Sequence, residues 1–140
     1  MTPISQVTKD LVRQRAGGYC EYCRCPERFA TQPHSVEHIQ PRAEGGSDDL
    51  SNLALACQGC NNHKFSKIEA VDELTGQTAA LFHPREMNWQ DHFAWSDDYC
   101  EVIPLSAVGR VTVAELHLNR TGVCNLRQLL YAGGEHPARR

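Results

Sequence analysis

The fold is decided by residues 20–64, which read CEYCRCPERFATQPHSVEHIQPRAEGGSDDLSNLALACQGCNNHK. Two Cys-x-x-Cys pairs open and close this stretch, the first at Cys20 and Cys23 and the second at Cys57 and Cys60. Each pair offers two sulfur ligands from one tight turn, and two pairs complete the tetrahedral shell of a structural zinc ion. The spacing therefore predicts a closed Zn²⁺ site that fastens the two ends of the stretch together.

Length and composition indicate one compact domain that a metal ion helps to hold together. The chain has 140 residues, of which 41% are hydrophobic and only 7% aromatic, so its core is small. Seven cysteines would suit a secreted disulfide framework, but the chain opens with no apolar targeting segment, and no run is long enough to span a bilayer. We expect a reduced, cytoplasmic protein without a membrane partner.

The charge balance does not by itself indicate nucleic-acid binding. The net charge is −3 and the pI is near 6.1, whereas a chain that binds phosphate through bulk basicity is strongly positive. Residues 1–67 carry a net charge of +1 and residues 68–140 one of −4, which allows an N-terminal half that meets phosphate, although solvated surface charge explains the split about equally well.

Apolar periodicity and turn residues predict a short series of elements. Residues 4–15 suit an amphipathic helix with Ser5 as its cap, and residues 35–39 and 50–56 suit short strands. From Asn61 onward no helix-breaking residue occurs before Gly76, so a helix is expected over most of that range. Strand, loop, strand and helix around a metal form a ββα unit. Two further helices are expected near residues 112–119 and 125–131.

Several short motifs between and beside the cysteine pairs occur in one order. They are Cys20-x-x-Cys23, Glu37-His38-Ile39-x-Pro41, Gly45-Gly46-Ser47, Asn52-Leu53 and Cys57-x-x-Cys60-Asn61-x-x-Lys64. This series resembles the HNH endonucleases, in the zinc-stabilised branch with two CxxC knuckles and of the stand-alone bacterial type. The resemblance implies an α+β fold, in which a small ββα-metal (His-Me finger) core carries a structural zinc site of four cysteines, flanking helices and a C-terminal extension.

The same resemblance sets the expected domain limits. Residues 1–76 would form the HNH nuclease core with its zinc knuckles, and residues 77–132 would form a C-terminal extension packing on that core. Residues 133–140, which read GGEHPARR, are expected to be a frayed tail.

Four residues acquire roles by their match to the family's motifs. The resemblance implies that His38 is the general base, and that Glu37 and Asn61 are ligands of a catalytic divalent metal. Asn52 would fix the loop so that a backbone carbonyl orients the His38 ring. Since neighbouring residues on a regular strand face opposite sides, the resemblance also implies a distorted strand end at Glu37 and His38.

The residue types suit hydrolysis of a phosphodiester bond. An imidazole can take a proton from water near neutral pH, and a cation held by carboxylate and amide oxygens can act as a Lewis acid. Because Asn61 stands where many members of the family have histidine, the site is oxygen-rich and favours Mg²⁺ or Mn²⁺. His63 lies two positions after Asn61, off its helical face, and whether it joins the metal site is open.

The expected activity is that of a metal-dependent HNH endonuclease that hydrolyses or nicks DNA. The expected phosphate contacts are Arg42, Lys64, Lys67 and Arg85. No separate specificity domain is visible in the sequence, so such a short nuclease either cuts with little sequence preference or is directed by a protein partner. RNA and branched DNA stay open as substrates.

A second reading belongs to another class of protein. Four cysteines alone would support a noncatalytic zinc-ribbon module that binds nucleic acid or protein. Glu37 and His38 discriminate between the two readings, because a module that only binds has no need of an acidic residue and a histidine side by side. Both are present.

Overall fold

The computed structural model describes residues 2–138 of the protein, and it confirms the predicted combination of helices and small sheets. The helices are α1 (Gln6–Ala16), α2 (Gln58–Lys64), α3 (Trp89–His92), α4 (Ala107–Leu116) and α5 (Thr121–Ala132). The strands are β1 (Ser35–His38), β2 (Leu53–Ala56), β3 (Glu69–Val71), β4 (Thr78–Ala80), β5 (Phe93–Trp95) and β6 (Val102–Pro104). Within this range the strands pair two by two, β1 with β2, β3 with β4 and β5 with β6, all antiparallel.

The ββα unit is formed by β1, β2 and α2. In the first sheet Glu37 lies opposite Ala54 and His38 lies opposite Leu53. Strand β2 is buried along its whole length, because α1 covers one of its faces and the cysteine core covers the other. Helix α2 then starts directly after β2, with Cys57 as its N-cap.

Helix α1 closes one side of this unit, as its sequence pattern predicts. The Ser5 hydroxyl accepts a hydrogen bond from the Thr8 amide, which caps the helix, and Gly17 ends it with a φ of 65°. Val12 and Ala16 pack against Leu53 and Leu55 of β2 and form a small second core. Burial of a side chain such as Val12 contributes roughly 1.5–3 kcal/mol to folding.

The main core joins the cysteine knuckles to the C-terminal half of the chain. Its larger buried members include Tyr22, Ile39, Leu81, Phe82, Trp89, Phe93, Val102, Val111, Leu116, Leu118 and Val123. Polar contacts reinforce this packing, since the Trp89 indole N–H donates to the Tyr22 carbonyl at 3.0 Å. The residues after 76 therefore supply much of the apolar surface that covers the knuckles.

The predicted long helix after Asn61 is wrong. Helix α2 ends at Lys64, where Phe65 takes a φ of 51°, and residues 69–71 form strand β3 instead. Strand β3 pairs with β4 across a turn at Gly76, whose φ is 74°. In residues 69–71 the hydrogen bonds with β4 therefore outweigh the local preference of the sequence for a helix. The expected domain limit at residue 76 consequently falls inside a hairpin.

Within the expected frayed tail, Gly133, Gly134 and Glu135 are exposed, whereas His136 packs against the rest of the protein. His136 is only 6% exposed, its ring N–H donates to the Tyr99 carbonyl at 2.9 Å, and its ring meets that of Trp95 edge-on. The Trp95 ring and the Tyr99 carbonyl thus hold His136 in place just after the turn at Gly133 and Gly134. Residues 139 and 140 lie outside the described range.

Between residues 2 and 138, no helix has the length and apolar character needed to cross a membrane.

The packing of His136 predicts a pH-dependent contribution to stability. Burial lowers the pKa of His136, although its bond to the Tyr99 carbonyl acts in the opposite sense. The folded protein therefore binds a proton at this ring less readily than the unfolded chain does, whose histidine pKa is near ~6.5. The stability that His136 contributes is complete above that value and is lost as the pH falls through it.

We expect the Tm of the wild type to fall relative to that of His136→Gln when the pH is lowered from 8 to 6. Thermal unfolding of both proteins in the same buffers measures this, and any effect of pH on the metal site is common to the two. A difference in Tm that stays constant across this pH range would contradict the assignment.

Candidate metal centre and nuclease cleft

The four predicted zinc ligands meet in one buried cluster. The sulfur atoms of Cys20, Cys23, Cys57 and Cys60 all lie within 4.8 Å of one another, and Cys23 Sγ is 3.6 Å from Cys57 Sγ. Four thiolates at a Zn–S distance of about 2.3 Å place their sulfurs about 3.8 Å apart, so the cluster has the size and donor set that zinc requires. In the described part of the chain, no other group of three or more His, Cys, Asp and Glu side chains converges in this way.

Backbone N–H groups support the cluster from inside each knuckle. The Cys23 amide donates to Cys20 Sγ, and the Cys60 amide donates to Cys57 Sγ. Burial raises the pKa of the Cys20 thiol, so a cation is needed to keep four buried sulfurs in the thiolate form. These contacts fit a structural Zn²⁺ site.

Arg120, between α4 and α5, also contacts this site. Its guanidinium donates to Cys57 Sγ at 3.3 Å and to Cys60 Sγ at 3.6 Å. A Cβ atom at Gly59 would lie 2.5 Å from Arg120 Nη2, so a larger residue there would require the guanidinium group to shift. Arg120 is far from these cysteines in the chain, and no sequence signal pointed to it.

A cleft of about 360 Å³ opens beside the ββα unit and brings three of the predicted site residues together. Glu37, His38 and Asn61 all line it. The other lining residues are Val36, Pro41, Arg42, Ala43 and Phe65. The end of β1, the loop that follows it and one face of α2 therefore form the walls of this cleft.

His38 is held by a carboxylate. Its Nε2 lies 2.7 Å from Asp48 Oδ1, and the same oxygen accepts from Arg42 Nε at 2.9 Å. Hydrogen bonds from Arg42 and then from His38 lower the pKa of Asp48, so this carboxylate is ionised at neutral pH and can only accept. The ring proton is thereby fixed on Nε2, and the lone pair of Nδ1 is left for other chemistry.

Sequence reasoning did not single out Asp48. The resemblance implied that a backbone carbonyl orients the His38 ring, whereas the structure places the Asp48 side chain there. Its position directly after the Gly45-Gly46-Ser47 loop was the available signal.

Asn52 bridges the two ends of that loop. Its Oδ1 accepts from the Gln40 amide at 2.9 Å, and its Nδ2 donates to the carbonyls of Gln40 and Ser47 at 3.0 and 2.7 Å. A Cβ at Gly46 would lie 1.7 Å from the Gln40 carbonyl oxygen, so only glycine permits this close approach. Asp48 follows Ser47, and Asn52 thus positions the partner of His38.

Glu37 lies on the inner side of β1. It is 6% exposed, the Tyr22 hydroxyl donates to its Oε1, and Lys64 Nζ lies 3.2 Å from its Oε2. Burial raises the pKa of Glu37, and the charge of Lys64 acts against that rise. The pairing of β1 with β2 is continuous through Glu37 and His38, in contrast to the expected distorted strand end.

Asn61 faces the cleft from the middle of α2. Between residues 2 and 138 its side chain meets no hydrogen-bond partner, so its amide oxygen is available to a ligand. Together with the Glu37 carboxylate it offers hard oxygen donors of the kind that Mg²⁺ and Mn²⁺ bind. The donor chemistry of the cleft therefore fits a divalent cation.

The four expected phosphate contacts all take part in ion pairs. Lys64 is 1% exposed and donates to the Ile39 carbonyl at 2.8 Å, so it supports Glu37 from inside and presents no surface to a phosphate. Arg85 pairs with the buried Glu21, and Lys67 lies 3.2 Å from Glu115. Arg42 pairs with Asp48. It lines the cleft, whereas Lys67 and Arg85 do not.

His63 is exposed and lies beside another histidine. Its ring centroid is 4.4 Å from that of His117, and it is not among the side chains that line the cleft. Burial lowers the pKa of His63, and the charges of His117 and Arg120 act in the same direction.

A ββα unit closed by a cluster of four cysteines, with a histidine and an acidic residue at the end of its first strand, defines a small α+β fold built around a metal site. The family model of the HNH endonucleases matches residues 20–67. No curated protein and no solved structure matches the chain.

The cysteine cluster predicts that replacement of one of its sulfur atoms strongly reduces zinc binding and stability. In Cys57→Ser the N-cap of α2 loses its thiolate and one zinc ligand is gone, so we expect loss of bound zinc and of much of the folded structure. Structural zinc sites contribute roughly 10–16 kcal/mol of binding free energy that is coupled to folding. Zinc content by mass spectrometry and the unfolding transition by circular dichroism measure both losses.

Cys25→Ser is the matched control, since Cys25 lies outside the cluster and should leave zinc content unchanged. One zinc ion per chain in Cys57→Ser would overturn the assignment.

Proposed function

We propose that the protein is a metal-dependent HNH endonuclease that hydrolyses or nicks DNA. The observation that carries the proposal is the cleft in which His38, with its ring proton fixed by Asp48, lies beside Glu37 and Asn61. The match of residues 20–67 to the HNH endonucleases supports a nucleic-acid substrate.

His38 acts as the general base in this proposal. Its Nδ1 lone pair takes a proton from the attacking water, and the ring becomes an imidazolium. Asp48 holds the reactive tautomer and stabilises the positive charge that develops on the ring. Arg42 keeps Asp48 ionised and in place, which makes Arg42 a positioning residue as well as a candidate for phosphate contact.

Glu37 and Asn61 are the proposed ligands of Mg²⁺ or Mn²⁺. When bound, such an ion supplies Lewis-acid stabilisation of the charge on the phosphate and on the leaving oxygen. Tyr22 and Lys64 orient the Glu37 carboxylate, and Lys64 offsets its charge in the buried setting. The cysteine cluster holds the start of α2, the helix that carries Asn61, against the first knuckle.

Replacement of the general base should abolish most of the activity. We expect His38→Ala to slow plasmid nicking in Mg²⁺ or Mn²⁺ by about 10²- to 10⁴-fold, which is the usual contribution of a general base. Bound zinc should be unchanged, since His38 lies outside the cysteine cluster. Gel electrophoresis of supercoiled DNA over time measures the rate.

His117→Asn is the matched control, because His117 is exposed, lies outside the cleft and has a φ of 51° that asparagine tolerates. Equal rates in wild type and His38→Ala would refute the general-base role. A wild type that keeps its zinc and cuts no DNA would favour a noncatalytic binding module.

The contact between His38 and Asp48 predicts a separate effect. In Asp48→Asn the side chain keeps its shape, but its amide no longer imposes a proton on Nε2. We expect kcat to fall by roughly 10- to 100-fold with little change in KM, as part of the general-base contribution. Nitrogen-15 NMR of the imidazole rings should show the Nε2–H tautomer of His38 in the wild type and its loss in the variant. An unchanged kcat, or an unchanged tautomer, would contradict this role.

A further inference from the structure

Phe65 is the most exposed large hydrophobic side chain in residues 2–138. It is 81% exposed, more than Leu74 at 74% or Leu129 at 73%. It directly follows α2 and lines the cleft that holds His38, Glu37 and Asn61. A large apolar ring is therefore presented to solvent beside the proposed reacting groups.

The backbone at Phe65 is strained. Its φ of 51° and ψ of −117° lie outside the regions that a bulky residue normally adopts, and helices usually end in glycine where φ is positive. The Phe65 amide still donates to the Asn61 carbonyl at 3.0 Å, and the preceding Lys64 is anchored in the interior. Such strain persists where the surroundings impose it, and it is concentrated at functional sites.

The surroundings of the ring indicate what binds it. Asn61 lies one helical turn earlier and lines the same cleft, which places the ring next to the proposed metal ligand. The neighbours Asn62, His63, Ser66 and Lys67 are exposed and polar, and Ile68, 42% exposed, is the one other large apolar side chain that is exposed within five residues of Phe65. An apolar protein partner requires a continuous apolar patch, whereas one aromatic ring among polar and cationic groups suits the face of a nucleobase.

We propose that Phe65 is a stacking platform for a nucleobase next to the scissile phosphate. This inference rests on the proposed function and specifies its substrate class. A base inside a perfect duplex has to leave its stack to reach the ring, while a base in a single strand, bulge or mismatch has already lost that stacking. The cleft therefore prefers DNA with an unpaired base.

The test uses short DNA oligonucleotides that carry one 2-aminopurine, whose fluorescence falls when it stacks on an aromatic ring. Single-stranded, mismatched and fully paired forms are titrated with the full chain in buffer without added Mg²⁺ or Mn²⁺, so that binding is measured apart from cleavage. We expect the wild type to quench the probe and to bind the unpaired forms more tightly than the paired form.

Substitutions at Phe65 separate a stacking role from a structural one. Phe65→Gly should weaken binding of the unpaired forms by about 5- to 100-fold and remove the quenching, which is the size of effect known for base stacking on aromatic rings. Its Tm should be equal to or higher than that of the wild type, because glycine relieves the strain. Phe65→Trp should restore binding, Phe65→Leu should not, and Leu129→Ala on α5 is the exposed apolar control.

Each outcome decides between the two proposals. If the wild type nicks plasmid DNA but Phe65→Gly binds and quenches as well as the wild type, the stacking role is overturned and the nuclease assignment stands. If the wild type quenches the probe but cuts no DNA, the stacking role stands and the nuclease assignment fails. Absence of both binding and cutting overturns both. If Phe65→Gly changes only the sedimentation of the protein alone, the ring covers another copy of the chain and the stacking role is overturned.

Discussion

The constraint on which the rest of the structure depends is the meeting of two cysteine knuckles that lie far apart in the chain. Four sulfurs within 4.8 Å of one another fix the start of α2 against the first knuckle. Strands β1 and β2 lie between these knuckles in sequence and pair in one antiparallel register, with Glu37 opposite Ala54 and His38 opposite Leu53. The cluster itself is buried, and its four sulfurs are enough to fill the tetrahedral shell of a structural zinc ion.

Two networks of polar side chains hold Glu37 and His38 in place at the cleft. The inner network consists of Tyr22, Glu37 and Lys64. The ammonium group of Lys64 and the hydroxyl of Tyr22 stabilise the buried Glu37 carboxylate, which would otherwise be destabilised by its loss of hydration. The outer one runs from Asn52 through the Ser47 carbonyl to Asp48 and His38. Because adjacent strand residues face opposite sides, Glu37 belongs to the inner network and His38 to the outer one, yet both border a single cleft.

The C-terminal half of the chain is part of the same arrangement. Arg120 donates to two cysteine sulfurs, and the buried Arg127 donates to the carbonyls of Cys23 and Leu118. These guanidinium groups fasten α4 and α5 to the knuckles, since Arg120 offsets the negative charge of thiolates and Arg127 donates hydrogen bonds to neutral carbonyl groups. The pair Asp72 and Arg110 fastens the β3–β4 hairpin to α4 in a similar way. A fragment ending at residue 76 would lose all three anchors.

The sequence by itself determined the cysteine cluster, the ββα order, the cap of α1 and the grouping of Glu37, His38 and Asn61, because spacing, turn chemistry and motif order are local properties that survive without coordinates. It misplaced the end of α2, the β3–β4 hairpin and the packed residue His136, since pairing partners and aromatic slots come from distant segments. It predicted that Lys64 contacts a phosphate, whereas in the structure Lys64 forms an ion pair with the buried Glu37 carboxylate. Only the tertiary structure decided that Asp48 holds His38 and that Phe65 stands exposed in the cleft, because both facts depend on where a side chain points after the loop and helix have been fixed in space.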